Sequence, residues 1–143
     1  MLVRSVVSGL CLSVAAGGDP EGAAAQQDGC TDSPAQRWRT IPAGGGVTLV
    51  NVASGKCLDV ADRGTDDGAK VQQWSCNNGA NQQWRPQPAT ADAGGQVATG
   101  AVLLVSVNSG KCLDLVESQT ASGVHLHQWS CHGRANQQWT LGS

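Results

Sequence analysis

The chain has 143 residues and a formal net charge of −2, and only 14% of its residues are charged. This length suits one domain with a single core. The absence of a basic stripe argues against a nucleic-acid partner, and no apolar run approaches the roughly 18 residues that insertion across a bilayer requires.

Aromatic and cysteine usage is unusual. The chain has five Trp but no Phe or Tyr, and it has six Cys, none in a Cys-x-x-Cys pair. The common zinc and thioredoxin spacings are therefore missing. We expect disulfides and a secreted, oxidising location, with free or metal-bound thiols as the alternative.

Three copies of one pattern organise the chain, at residues 3–38, 49–84 and 104–139. The second and third align without a gap with 20 identities in 36 positions, and the first and second with 15. In each copy two Cys lie 19 residues apart and a Gln-x-Trp triplet ends the copy. We therefore predict one domain, residues 1–143, built from three repeats.

Within a repeat the pattern is strand-like. In repeat two the predicted elements are strands at 49–52, 57–60 and 69–74, turns at 54–55 and 67–68, and the start of a fourth strand at 82–85. Three copies predict about twelve strands without a helix. The longer linker, 85–103, is rich in Ala, Gly, Thr and Pro and is predicted to be a surface loop. Because three copies are too few for a propeller, we expect an all-β closed barrel with threefold symmetry and a hairpin cap.

The five Trp fall into two registers. The Gln-x-Trp residues, one per repeat, are predicted to share the core, with ligand contact as the alternative: Trp38, Trp84 and Trp139. Trp74 and Trp129 lie in the other register. Because Gln73 and Ser75 beside Trp74 are polar, we predict that Trp74 is exposed, with burial in the core as the alternative.

Three blocks of repeat two recur in repeat three. They are Cys57-Leu58-Asp59-Val60 with Cys112-Leu113-Asp114-Leu115, Gln72-Gln73-Trp74-Ser75-Cys76 with His127-Gln128-Trp129-Ser130-Cys131, and Asn81-Gln82-Gln83-Trp84 with Asn136-Gln137-Gln138-Trp139. With the cysteine spacing, they resemble the ricin B-type lectin family. The resemblance implies a β-trefoil with pseudo-threefold symmetry and a non-catalytic domain with one shallow sugar site per repeat. The Gly and Ala content is similar to bacterial modules fused to glycoside hydrolases, which implies galactose- or xylose-type sugars or a polysaccharide as the partner.

The resemblance also implies which residues bind the sugar. They are Asp59, Gln72, Trp74, Asn81 and Gln82 in repeat two, and Asp114, His127, Trp129, Asn136 and Gln137 in repeat three. The chemistry is suitable, because a carboxylate accepts hydroxyl hydrogen bonds, an amide both donates and accepts, and an indole covers the C–H face of a sugar. An imidazole at position 127 suggests binding that weakens in acid.

Repeat one departs from this pattern. Ser13, Asp28 and Ala35 replace the expected Asp, Trp and Asn. Without the carboxylate and the stacking plane, we predict a silent site that contributes to the fold only.

The repeat symmetry also predicts the cystines. Of 15 connectivities, we expect a bridge within each copy: Cys11 with Cys30, Cys57 with Cys76, and Cys112 with Cys131. The first sixteen residues are similar to a signal peptide, yet they match repeat two. We therefore assign them to repeat one and expect the chain to be a module of a longer secreted protein, with a fused catalytic domain as a further partner.

Other functions are less well supported. His125, His127 and His132 suggest a metal site, but two of them have no counterpart in the other repeats, so we expect surface histidines and no metal or cofactor. Asp62, Asp66 and Asp67 do not have the spacing of a calcium loop. We find no nucleophile motif and no natural carboxylate pair for hydrolysis, so an enzyme ranks third. The main rival is a protein-binding trefoil such as a protease inhibitor, with 85–103 as its contact loop.

Overall fold

The computed structural model describes residues 1–15, 20–89, 100–116 and 119–142. These residues form twelve antiparallel strands. The strands are β1 (Leu2–Ser5), β2 (Cys11–Val14), β3 (Ala25–Asp28), β4 (Trp38–Ala43), β5 (Gly46–Asn51), β6 (Cys57–Val60), β7 (Val71–Trp74), β8 (Trp84–Pro88), β9 (Val102–Ser106), β10 (Cys112–Leu115), β11 (Leu126–Trp129) and β12 (Trp139–Gly142). The all-β prediction of about twelve strands is confirmed. Each repeat contributes four.

Six strands form a barrel and the other six form three hairpins. Strand β1 pairs with β12, β12 with β9, β9 with β8, β8 with β5 and β5 with β4. The barrel closes where Trp38 N donates to Met1 O at 2.9 Å. The hairpins are β2–β3, β6–β7 and β10–β11, one per repeat. This is the threefold barrel with a hairpin cap that the repeats predict.

The core contains one tryptophan from each repeat. Trp38, Trp84 and Trp139 are fully buried. Each indole N–H donates at 3.1 Å to the carbonyl of the leucine that follows the first Cys of its repeat, namely Leu12, Leu58 and Leu113. Because the indole N–H groups are satisfied inside the core, these three large side chains stabilise it without a buried unpaired donor. The predicted core role is confirmed.

A buried glutamine in each cap hairpin links its repeat to a neighbouring one. Gln73 Nε2 donates to Pro20 O of repeat one at 3.0 Å, and Gln73 Oε1 accepts from Ser54 Oγ at 2.8 Å. Gln128 bonds in the same way to repeat two, and Gln27 to repeat three. We used Gln73 as a sign that its neighbour is exposed, and this premise is wrong, because Gln73 is fully buried.

Most of the described residues between the repeats lie in strands. Residues 39–43 and 46–48 lie in the β4–β5 hairpin, and 85–88 pair with 102–105. The prediction of a surface loop over 85–103 is therefore wrong at both ends of that segment, and its residues 90–99 lie outside the described residues. The strands extend past the repeats because barrel closure needs long pairing partners on both sides.

The three cystines join Cys11 with Cys30, Cys57 with Cys76 and Cys112 with Cys131, as predicted. Leu2–Ser5 and Cys11–Val14 form strands of repeat one, in agreement with the repeat interpretation of the first residues. In the described parts of the chain, no helix has the length and apolar character that crossing a membrane requires.

Candidate functional site

The cap hairpin of repeat two places a carboxylate and an amide side by side. Asp59 on β6 is the cross-strand partner of Gln72 on β7, and Trp74 lies opposite Cys57 at the end of the same hairpin. A single 3₁₀ turn, Ala80–Gln82, follows the cystine and carries Asn81 to the hairpin. The strand register and the cystine together bring these side chains into one place.

Three amides hold the Asp59 carboxylate. Gln72 Nε2 donates to Oδ1 at 3.1 Å, while Asn81 Nδ2 and Gln82 Nε2 donate to Oδ2 at 3.2 and 2.9 Å. Asp59 is 3% exposed. Since Oδ2 already takes two donors and Oδ1 only one, a lone pair of Oδ1 remains for a ligand hydroxyl.

Burial has the largest effect on the pKa of the Asp59 carboxyl group. Burial raises the pKa of Asp59 above its ordinary value, and the nearby Glu21 charge adds to the rise. The hydrogen bonds from Gln82, Gln72 and Asn81 oppose the rise without cancelling it. The group therefore protonates at a higher pH than an exposed aspartate does.

Trp74 forms the open wall of a cleft of about 230 Å³, which Asp59, Gln72 and Asn81 also line. The Trp74 side chain is 40% exposed, so the prediction of an exposed indole is confirmed. Gly22 of the preceding repeat lies behind the ring: a Cβ there would be 3.6 Å from Trp74 Cζ3. The ring is thus supported on one side and free on the other.

Repeat three builds the same arrangement with an imidazole in place of one amide. His127 Nε2 lies 2.6 Å from Asp114 Oδ1, and Asn136 Nδ2 and Gln137 Nε2 donate to Oδ2 at 3.1 and 2.8 Å. Trp129 is 41% exposed, and its ring stacks with that of His127 at a centroid distance of 5.4 Å. The cleft has a volume of about 270 Å³.

The contact between His127 and Asp114 fixes the imidazole tautomer. An ionised carboxylate only accepts hydrogen bonds, so Nε2 carries the proton in this pair. Nδ1 then offers only an acceptor, whereas Gln72, at the same place in repeat two, keeps one N–H and its carbonyl oxygen.

In its described residues, repeat one has neither the buried carboxylate nor the exposed indole of the other two repeats. Ser13 faces Gln26 across the hairpin, and Gln26 Nε2 donates to Asp28 Oδ2 at 2.8 Å. Gln36 keeps its bonds to Gly29 O and Thr31 N, both at 2.8 Å. The hairpin is therefore folded as in the other repeats, without the buried carboxylate and the indole.

The structure brings all ten predicted residues into these two clusters, yet two of them lie behind the clefts. Gln82 and Gln137 are fully buried and donate to the carboxylates and to the carbonyls of Ser75 and Ser130. They position the carboxylate that lies in front of them.

The sequence analysis missed residues at the cleft rims. Asp62, Arg63 and Asn77 line the cleft of repeat two, and His132 lines that of repeat three. His132 is exposed, as expected of a surface histidine, and its Nε2 lies 3.8 Å from Asp114 Oδ2. Sequence position could have indicated two of these rim residues, because Asn77 and His132 directly follow the second Cys of their repeats. Among the described residues, no group of three His, Cys, Asp or Glu side chains is arranged to hold a metal ion.

Comparisons with known proteins agree with this architecture. Residues 1–139 match the ricin-type beta-trefoil lectin domain. The designed 3-fold symmetric protein ThreeFoil is 36% identical with a TM-score of 0.90, covering 99% of this chain and 96% of its own. An exo-beta-1,3-galactanase from Clostridium thermocellum is 32% identical with a TM-score of 0.88, covering 98% of this chain but only 29% of the galactanase. The Macrolepiota procera ricin B-like lectin in complex with lactose is 18% identical with a TM-score of 0.77, covering 96% of this chain and 90% of the lectin, and it supports the fold alone.

Proposed function

We propose, on the premise that the chain belongs to the ricin-type beta-trefoil lectin family, that it binds galactose- or xylose-type sugars through the clefts of repeats two and three. Membership of this family makes it a carbohydrate-binding domain. One observation carries the finer proposal: both clefts join a buried, hydrogen-bonded carboxylate to an exposed indole, and repeat one does not.

The donors and acceptors of the clefts match vicinal hydroxyls. One hydroxyl donates to the free lone pair of Asp59 Oδ1, and a neighbouring hydroxyl meets Gln72, which keeps one N–H and its carbonyl oxygen. Asn81 spends both N–H bonds on Asp59 and Val60 O, so it offers only an acceptor. The apolar face of the sugar lies on Trp74.

Each cleft is shallow, and we expect a dissociation constant on the order of 0.1–1 mM, about −4 to −5.5 kcal/mol. Two clefts on one rigid domain gain avidity when they engage the same polysaccharide chain. Galactan and xylan are therefore better targets than free monosaccharides.

The cellular setting is part of the proposal. Three cystines favour a secreted protein. Similarity to part of an exo-beta-1,3-galactanase supports a role as the non-catalytic module of a glycoside hydrolase.

A binding screen tests the proposal. The unaltered protein is run on affinity gels containing xylan, galactan or no polysaccharide, beside Trp74→Ala, Trp129→Ala and the double variant. Each single change should reduce retardation, because it removes the stacking surface of one cleft, and the double change should abolish it. Both indoles are exposed, so these changes should leave the fold intact. Unchanged retardation of the double variant would refute the cleft assignment. Inhibition of a protease panel without sugar binding would instead favour the protein-binding rival.

A further inference from the structure

The rim of the cleft in repeat two contains a convergence of polar atoms around Gly79. A Cβ added to Gly79 would lie 2.7 Å from Asn81 Oδ1, 2.8 Å from Asn77 Oδ1 and 3.3 Å from Arg63 Nη2. The same three polar side chains line the cleft beside Trp74. Their meeting point therefore belongs to the wall of the cleft and depends on the absence of a side chain at position 79.

The backbone does not need glycine at this position. Gly79 has φ −67° and ψ 151°. At the equivalent positions Ser33 has φ −73° and Arg134 has φ −70°, with side chains present. A glycine at 79 is explained by the space it leaves for the three polar groups.

One of these groups is an unsatisfied acceptor. Asn81 is 4% exposed, and its Oδ1 is buried without a hydrogen-bond partner. A buried acceptor without a donor is destabilising. Its two N–H bonds hold it in place against Asp59 and Val60, so relief must come from a donor that moves to it.

Arg63 lies nearby and can donate to this acceptor. Its side chain is exposed, and within the described ranges its guanidinium makes no ion pair or hydrogen bond. Its backbone is fixed, with φ 53° after φ 55° at Asp62, and Asn108 Nδ2 donates to Arg63 O at 3.0 Å. Left-handed backbone at two successive non-glycine residues costs energy, and here it points a free guanidinium at the cleft.

We propose that Arg63 is a specificity-determining residue of repeat two, which closes on the bound sugar, donates to Asn81 Oδ1 and at the same time donates to a sugar hydroxyl. This inference rests on the proposed function. A guanidinium has five N–H donors in a rigid plane, so it can serve both acceptors. The ligand group is a neutral hydroxyl, because an anionic sugar would face the carboxylates of Asp59 and Asp62 in the same cleft.

The described residues of repeat three do not repeat this arrangement. Arg134 and His132 replace Gly79 and Asn77, and Ser118, at the position of Arg63, lies outside the described residues. The two clefts therefore differ in selectivity, and the hydroxyl that Arg63 recognises matters in repeat two alone.

The experiment isolates repeat two with Trp129→Ala and measures binding of D-galactose, its four monodeoxy derivatives, D-xylose and D-galacturonate by calorimetry. Adding Arg63→Met, which keeps the side-chain length, should weaken the preferred neutral sugar about tenfold, the loss of a hydrogen bond to a charged donor. Gly79→Ala should also weaken binding, because its Cβ would displace Asn81 Oδ1 and Asn77 Oδ1, at 2.7 and 2.8 Å, as well as the guanidinium at 3.3 Å. One deoxy sugar should bind equally to the parent and to Arg63→Met. Gly29→Ala is the matched control, because a Cβ there meets nothing within 4 Å.

Three results would overturn the inference. If Arg63→Met binds every sugar as its parent does, the contact is absent while the proposed function survives. If the Trp129→Ala protein binds none of these sugars, both this inference and the role of repeat two fail. If galacturonate binds more tightly than the neutral sugars, the guanidinium recognises an anion. In the Trp74→Ala background, Arg63→Met should not change the affinity for sugar, and this control distinguishes a local contact from a fold defect.

Discussion

Replacing Trp74 with alanine should weaken binding at repeat two by roughly 70-fold. Trp74 is 40% exposed, which is about 100 Å² if a tryptophan side chain has about 250 Å² to bury. A sugar on the free face covers about half of this and buries a similar area of its own. About 100 Å² then leaves water, worth about 2.5 kcal/mol at about 25 cal/mol per Å².

The assay is calorimetric or ligand-observed titration of D-galactose into the Trp129→Ala protein with and without the further change. Trp74→Phe keeps a smaller plane and should retain an intermediate affinity. Trp74→Ala should cost little stability, whereas Trp84→Ala, in the buried core, should cost about 3–5 kcal/mol. If Trp74→Ala binds within threefold of its parent, the indole is not the stacking surface and the argument is refuted.

The remaining predictions concern pH and the links between repeats. In the Trp129→Ala protein, calorimetry should show that affinity falls as the pH is lowered. The midpoint of this fall should lie above the pKa of an exposed aspartate, because burial raises the pKa of Asp59. A raised carboxyl pKa means that protonation of Asp59 favours the folded state, so this loss is not unfolding; a midpoint at or below the ordinary value of about 3.9 would contradict it. Gln73→Met should lower the free energy of unfolding by about 1–3 kcal/mol in urea, since it leaves buried partners unsatisfied; an unchanged midpoint would contradict that role.

The features that could be predicted from the sequence are those that each repeat forms through its own local contacts. The cystines and the buried Trp84 follow from position within a repeat, because each copy folds in the same local way. The exposed Trp74 was also predicted, although partly from a wrong premise. Strand alternation fails at 57–59, where consecutive residues are all buried, because the barrel core covers one face of the hairpin and the 3₁₀ turn with its amides covers the other.

What could not be predicted depends on contacts between segments that are distant in the chain. The burial of Gln73 follows from a loop of the preceding repeat. The rim position of Arg63 follows from left-handed backbone at a non-glycine residue and from a bond to Asn108 in repeat three. Neither has a local sequence signal, since propensity and periodicity describe only neighbours within one element.

The comparison of repeats separates the signature of the fold from the signature of a binding site. Gln36 in repeat one keeps its bonds to Gly29 O and Thr31 N although Ser13 replaces the carboxylate of the other repeats. Gln82 makes the equivalent backbone bonds and, in addition, donates to Asp59. The glutamine of the Gln-x-Trp triplet is therefore required by the turn whether or not a site exists. An aspartate two residues after the first Cys, combined with a tryptophan two before the second, is the feature that indicates a binding cleft.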